Sequence, residues 1–424
     1  MSKIQLNPVR GMRDILPPDS EEIIWLESTF ADVLRSYGYS AVIVPTVELF
    51  KLFEVKSGPE ISRSMYVFDD KAGRRVCLRP EFTAGVVRLY LRSLTVKPKP
   101  VKLYYFGSAF RYEEPQKGRF REFIQAGVEY VGDASVFSDI ELLLTIRDYY
   151  RAVGLRNYEV KMNSVGIYRK MFRRWGVPED VQDLVIHYLD KGELDNALEE
   201  LRKYPEAEAE VVESLSGLRV EDPEKLDALF RELRLPNYVE EDFSRLRSIL
   251  EVAKNVGVGN PYIDLGFARG LAYYTGFIFE VKTPYLNFSI GGGGRYDTLI
   301  SLYGGSETPS TGYSLGIDRL HIALKASGWS FPASPRRLLL ICMGSDVQFA
   351  DEVSTRLRKA GFAVDVRFRK KVSEMLSYAS KEGFDYVGIV GAKEFQERAV
   401  TIKNLRTREQ RKVPVDMLGE VELP

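Results

Sequence analysis

Between Phe110 and Gln125 the chain reads FRYEEPQKGRFREFIQ, in which charged, aromatic and amide side chains recur with a period of two. Side chains of an extended strand alternate between faces, so Arg111 and Glu113 are expected to share one. On a returning strand Phe123, Gln125 and Glu129 do the same. Pro115 and Gly118 fall inside EEPQKGR and suit a hairpin loop longer than a two-residue turn. The stretch thus predicts two antiparallel strands presenting a guanidinium, a ring, a carboxamide and two carboxylates on one face. A guanidinium binds phosphate bidentately, an aromatic face stacks on a base, and a carboxylate accepts from an exocyclic amine. That set suits a nucleotide on an open sheet; the alternative is a hairpin whose charges merely face water, since antiparallel sheets often expose one polar face.

Length and composition narrow the setting. A chain of 424 residues exceeds one compact core, so two or three domains are expected. Hydrophobic and charged fractions of 45% and 28% are those of a soluble globular protein. No apolar run reaches the roughly 18 residues of a membrane span, and MSKIQLNPVRGMRDILPP lacks the apolar core of a signal peptide. The expected location is cytoplasmic, with no membrane partner. Cys77 and Cys342 stand far apart in apolar runs and offer neither a disulfide framework nor a zinc site. His187 and His321 fall in amphipathic helical patterns and are expected to be packed or solvated, which argues against histidine general-base chemistry. Basic and acidic residues both number 60, so any RNA site must come from a local patch. From Arg336 to Pro424 there are 17 basic and 13 acidic residues, with Arg367, Arg369, Lys370 and Lys371 clustered.

After Pro17-Pro18-Asp19, residues 21–37 place Ile23, Leu26, Phe30, Val33, Leu34 and Tyr37 at helical spacing, with Asp19 and Glu22 as a capping pair. Gly38 ends this helix, and Tyr39 to Pro45 is expected to be a strand. Strands are expected again at Tyr66–Phe68, Arg75–Leu78, Lys102–Tyr112 and Phe120–Tyr130, in an antiparallel sheet. Neither a dinucleotide fingerprint nor a GK[ST] phosphate loop is present. Residues 165–251 change to helices rich in Glu, Leu and Arg, and sheet-like patterning resumes after Asn260. Beyond a linker ending at Pro335 the order is strand (338–342), helix (346–360), strand (362–368), helix (372–381), strand (386–390) and two short strands. The fold class is α+β. Residues 1–164 and 252–327 form one domain interrupted by a helical insertion at 165–251, and 336–424 form a separate α/β domain.

FRYE followed by GRFREF resembles motif 2 of the class II aminoacyl-tRNA synthetases, and the whole run resembles the histidyl-tRNA synthetase version. RGLAYYTG, from Arg269 to Gly276, is similar to a signature that this family carries and other class II synthetases lack. Ala272 stands where the family has an acidic residue. The first helix with its strand ending at Pro45 resembles motif 1, the dimer element, and GYSLGIDRL, from Gly312 to Leu320, resembles motif 3. FDYVGIVGAKEF and AVTIKNLRTREQRKVPV resemble the anticodon-binding domain of class IIa enzymes. The resemblance covers essentially the whole chain. It implies a class II synthetase catalytic domain with a central antiparallel β-sheet flanked by helices, a helical insertion domain and a C-terminal α/β anticodon-binding domain.

A neutral imidazole has one donor and one acceptor nitrogen, so a selective pocket needs a carboxylate and a hydroxyl at opposed edges. The resemblance supplies Glu129 and Tyr274, with Tyr273 beside them. It assigns the α-ammonium of histidine to Gln125, Glu81 and Thr83, the last two expected to point the same way on an extended strand. Ser289–Asp297, with four consecutive glycines, would floor the pocket. Arg111 and Arg269 are the implied catalytic cations at the carboxylate and α-phosphate. Glu113 and Phe123 would contact ATP, with Arg119 and Arg319 toward the leaving pyrophosphate and Arg319 over the adenine opposite Phe123. Mg²⁺ would be held mainly by phosphates, and no metal-ligand pattern is visible in the sequence. A carboxylate nucleophile is already ionised at neutral pH, so the reaction needs in-line positioning and charge neutralisation. The implied enzyme is a homodimeric ligase joining L-histidine to tRNA(His) with ATP. A catalytically dead paralogue that regulates histidine biosynthesis by binding ATP phosphoribosyltransferase would lack the anticodon domain and degrade the ATP motifs. A synthetase for another amino acid would lack RGLAYYTG.

Overall fold

The computed structural model describes residues 4, 6–54, 64–116, 118–269, 273–332, 335–344, 346–369 and 371–419. The chain divides into two compact units, Met1–Ser330 and Phe331–Pro424.

In the first unit, strands β1 (Ser40–Ala41), β5 (Val101–Phe110), β6 (Glu122–Val131), β7 (Glu159–Ser164), β8 (Arg219–Val220), β9 (Asn260–Asp264), β10 (Phe277–Lys282), β11 (Gly291–Arg295) and β12 (Ser310–Gly316) build a nine-stranded sheet. Its order is β1-β5-β6-β12-β11-β10-β7-β9-β8. It is antiparallel as expected, except that β1 runs parallel to β5 and β7 to β9. A small sheet of β2 (Val47–Leu49), β3 (Val67–Asp69) and β4 (Arg75–Leu78) lies beside it in the order β2-β4-β3.

Helix α1 (Asp19–Ser36) buries Ile23, Leu26, Phe30 and Leu34, one stripe at helical spacing. Phe30 meets Tyr104 of β5 and Tyr149 of the helix Val136–Ala152 edge to face, fixing both helices on one side of the sheet. On the other side α2 (Thr83–Ser93) contributes Val86, Val87 and Tyr90 to a core shared with Leu103, Tyr105 and Ile278.

Two local expectations fail. The strand predicted at Tyr39–Pro45 shrinks to Ser40–Ala41, because beyond Val42, whose N–H donates to Tyr104, the chain leaves for the small sheet. Asp19 and Glu22 do not cap α1. The helix starts at Asp19 itself, and the two acids reach the helix Ile317–Ala326 instead. Asp19 bonds Lys325, while Glu22 lies 2.5 Å from His321 Nε2 and 3.0 Å from Lys325.

Between Val165 and Asn255 lie six α-helices, among them α3 (Glu179–Lys191), and one 3-10 turn at Asn237–Val239. The two residues of β8 pair with β9, so this helical stretch contributes the last strand of the main sheet.

In the second unit β13 (Arg337–Cys342), β14 (Ala363–Phe368) and β15 (Tyr386–Val390) run parallel, and β16 (Ala399–Asn404) and β17 (Gln410–Pro414) complete the sheet antiparallel, in the order β14-β13-β15-β16-β17. Leu338 and Leu340 face one core while Leu339 and Ile341 face another, so β13 is buried on both sides, as an apolar run between two helical layers requires. The order matches the sequence reading, with an additional short helix at Ala392–Gln396. Of the basic cluster, Arg367 pairs with Asp365 and Lys371 with Glu374, while Lys370 lies outside the described residues. No helix among the described residues is long and apolar enough to cross a membrane.

Candidate active site

One register row crosses the main sheet through Tyr105, Gly127, Ser314, Gly292, Glu280 and Lys161, on β5, β6, β12, β11, β10 and β7. Cross-strand neighbours point to the same face. Gly127 and Gly292 carry no side chain, so Tyr105 lies over the first and Arg269 over the second, and Ser314, Gly292 and Glu280 of this row form part of a floor. A cleft of about 370 Å³ stands on this floor, within the usual range for a small-ligand site.

Two glycines are fixed by close approach. A Cβ on Gly292 would lie 1.9 Å from Arg269 Nη1, and one on Gly312 would lie 2.5 Å from Glu129 Oε2 and 2.6 Å from the Tyr296 hydroxyl. The polar groups of the site thus lie flat on backbone that only glycine leaves uncovered. The glycine run is itself β11, a central strand of the sheet.

Arg111, Glu113, Arg119, Phe123, Arg269 and Arg319 all line the cleft, as do Glu81, Thr83, Gln125, Tyr273 and Tyr274. Glu129 sits behind the wall, 2% exposed, accepting from the Thr83 hydroxyl at 2.7 Å and from the Tyr296 hydroxyl. Burial pushes its carboxyl well above the usual range, and neighbouring Glu81 adds to the shift while the Thr83 hydroxyl opposes it. Gln125 is buried, and its Oε1 has no partner among the described residues, which leaves an acceptor for a donor such as an ammonium.

The reading of Glu81 and Thr83 as strand neighbours is corrected. Thr83 opens α2, and Glu81 accepts from the backbone N–H of Thr83 at 2.5 Å and of Ala84 at 3.0 Å. Pro80 precedes the turn, and the carboxylate satisfies N–H groups that a helix start leaves unpaired. Burial raises the Glu81 carboxyl against these bonds and the nearby Arg111.

The hairpin is also shorter than expected: β5 stops at Phe110, so Arg111 and Glu113 lie just past the strand. Arg111 donates from Nε to the Pro80 carbonyl at 3.1 Å, and its guanidinium lies 5.4 Å from the Phe123 ring centre. Arg119 stands 3.8 Å from Glu113. Gln116 and Arg119 close the loop, and Lys117 between them lies outside the described residues. Arg319 donates to the carbonyls of Gly118 at 3.0 Å and Ser289 at 2.9 Å and rests on Phe288, 4.9 Å from its ring centre. Arg111 thus stands beside Phe123, and Arg319 beside Phe288. Burial, then Arg119 and Arg111, depress the Arg319 pKa. Cations crowded in this way favour a polyanion.

Sequence reasoning missed Tyr296, Phe288, His187 and Asp190. Tyr296 stands two residues past the glycine run in GGGGRYD, which is a signal that could have found it. His187 and Asp190 come from α3 and line the cleft, so His187 is not simply packed or solvated away from the site. Gly270, Leu271 and the departure at Ala272 lie outside the described residues.

Comparison with known proteins agrees with this geometry. The family model described as histidyl-tRNA synthetase matches residues 11–320, and that described as an anticodon binding domain matches residues 338–421. A histidine–tRNA ligase of Sulfolobus acidocaldarius is 40% identical over 425 residues, covering 98% of each chain. The crystal structure of histidyl-tRNA synthetase from Nostoc sp. PCC 7120 superposes with a TM-score of 0.81 at 25% identity, covering 99% of both. A structure from Bacillus halodurans C, described as an ATP phosphoribosyltransferase regulatory subunit/histidyl-tRNA synthetase, gives 0.77 at 22% identity over 92% of this chain and 98% of that one, a likeness of fold alone. With the motif 2 hairpin, the glycine floor and the motif 3 strand and helix meeting in one cleft, and with a relative this similar end to end, the chain belongs to the histidyl-tRNA synthetase family.

Proposed function

We propose that the protein is a histidine–tRNA ligase that activates L-histidine with ATP, releasing pyrophosphate, and then transfers histidine to the 3′ end of tRNA(His). The observation that carries this reading is the convergence of Arg111, Arg119, Arg269 and Arg319 on one cleft whose back wall holds the buried Glu129. Glu129, braced by Thr83 and Tyr296, would accept from the imidazole, and Tyr274 would meet its other edge. Glu81, Thr83 and Gln125 would receive the α-ammonium. Arg111 and Arg269 would hold the carboxylate and α-phosphate in line, which supplies most of what an already ionised nucleophile needs. Phe123 and Glu113 would take the adenine side of ATP, with Arg119 and Arg319 toward the pyrophosphate.

Among the described residues, the cleft holds no cluster of three acidic, His or Cys ligands. Mg²⁺ commonly binds substrate phosphates plus one or two carboxylates rather than an all-protein cage, and here it would be held mainly by the phosphates of ATP. Glu113, part-exposed on the wall, would share it, and the ion would neutralise charge on the leaving pyrophosphate.

Residues 165–251 form the insertion within the catalytic domain of 1–164 and 252–327, and 336–424 bind the anticodon in the cytoplasm. Exposed Ile24, in the groove lined by Ile15, Ile23, Phe106 and Ile124, together with exposed Leu16 next to Ile15 in sequence and exposed Ile43 just past β1, supports a homodimer. The regulatory paralogue is disfavoured by the intact arginine set and the presence of the C-terminal unit. Histidine-dependent exchange of pyrophosphate into ATP tests the reading. Exchange with histidine alone among amino acids is expected; no exchange would overturn the enzyme, and exchange with another amino acid would overturn the specificity.

A further inference from the structure

Arg269 lines the cleft and makes one hydrogen bond among the described residues, from Nη1 to the Phe279 carbonyl at 3.0 Å. Its neighbour along the floor is Glu280, a part-buried carboxylate that also lines the cleft. A carboxylate there is a hazard for a site built to take anions, because a guanidinium and a carboxylate pair bidentately when they can. Among the described residues no Arg269–Glu280 ion pair forms within 4.0 Å. Glu280 is engaged from its other side. Lys161, opposite it on β7, approaches to 3.9 Å, and Lys282, two residues along β10, to 3.3 Å. Burial alone would raise the Glu280 carboxyl, yet Arg269, Lys282 and Lys161 together hold it below the usual range, so it stays ionised.

The two lysines are not equivalent. The side chain of Lys282 is 45% exposed and that of Lys161 only 17%, so solvent screens the first far more than the second. Lys161 is also fixed in place, its ammonium 4.1 Å from the centre of the Phe267 ring and flanked by Asp264 and Asp190.

We infer that Lys161, which does not line the cleft, is a positioning residue: it holds Glu280 off Arg269 and so keeps the guanidinium open to the carboxylate and phosphate of the substrates. The inference rests on the ligase reading, and it makes Lys161 and Glu280 an antagonistic pair.

The test is histidine-dependent pyrophosphate exchange on the full-length protein, with KM for histidine and kcat measured separately. Wild-type exchange tests the ligase reading; ratios among variants test the inference. K161M is expected to lower kcat/KM for histidine about tenfold or more, because Glu280 is released onto Arg269. K161M/E280Q is expected to recover to within about threefold of E280Q alone, since the amide cannot neutralise the guanidinium. K161R is expected to match wild type. A K161M enzyme as active as wild type would overturn the inference, and so would a double variant no better than K161M, which would mean that lost packing on Phe267 is the cause. K161Q and K161Q/E280Q repeat the comparison should the methionine variant not fold, with the same two outcomes decisive.

Discussion

The hydroxyl of Thr83 donates to Oε1 of Glu129 at 2.7 Å, joining the first turn of a helix to the middle of the sheet across the back of the cleft. Tyr296 donates to the other carboxylate oxygen. Glu129 is thus oriented by two donors before any substrate arrives. Glu129→Gln turns one acceptor into a donor facing hydroxyls. We expect KM for histidine to rise by about 100-fold or more while KM for ATP stays nearly constant, measured by exchange kinetics.

The same carboxylate sets a pH dependence. With its pKa raised by burial, Glu129 keeps its proton in the folded state to higher pH than in the unfolded chain. The folded form therefore binds more protons from the ordinary glutamate range upward, and stability falls as pH climbs through that window. Glu129→Gln removes the contribution. Between about pH 5 and about pH 8 the melting temperature of ligand-free wild type should fall more than that of the variant.

Gly292→Ala places a methyl group where Arg269 Nη1 now lies, 1.9 Å away. The guanidinium must leave its position and β10 must give way at the Phe279 carbonyl, so adenylate formation should drop by about 100-fold or more in single-turnover kinetics, with the stability cost read separately from melts by circular dichroism.

Arg295, almost fully buried, binds Asp139, Ser138 and Asp297, and Asp139 also receives Arg245. Arg295→Met leaves part of a buried charge cluster unpaired. The expected loss is about 3 kcal/mol, read from denaturant melts, although the residue is outside the cleft lining.

Ile24→Glu with Ile43→Glu puts charge on the exposed apolar edge beside α1 and β1. Light scattering tests the proposed homodimer: wild type should give the mass of two chains and the variant that of one, with exchange activity falling alongside.

How much of this was legible depended on how local each determinant is. The α/β alternation of the C-terminal unit was readable because Gly361 and Gly383 punctuate helices whose partners lie nearby in sequence. The strand at Tyr39–Pro45 was overdrawn because its end depends on where β5 offers a neighbour, which no propensity encodes. Glu81 was misjudged because two residues decided between strand end and helix start. His187 and Asp190 could not be found at all: they reach the cleft only because the intervening helices fold back over it. Tyr105 and Lys161 became meaningful once the strand register was known, since the row that joins them spans six strands.

The pairing of Arg219 and Val220 with Asp264 and Ile263 has a consequence for any shortened form of the protein. Excising the helices would strip the cover from the apolar margin of β9 and leave its amides and carbonyls as a template for a foreign chain. A trimmed catalytic core should therefore precipitate through intermolecular strand addition unless that margin is rebuilt with charge or proline.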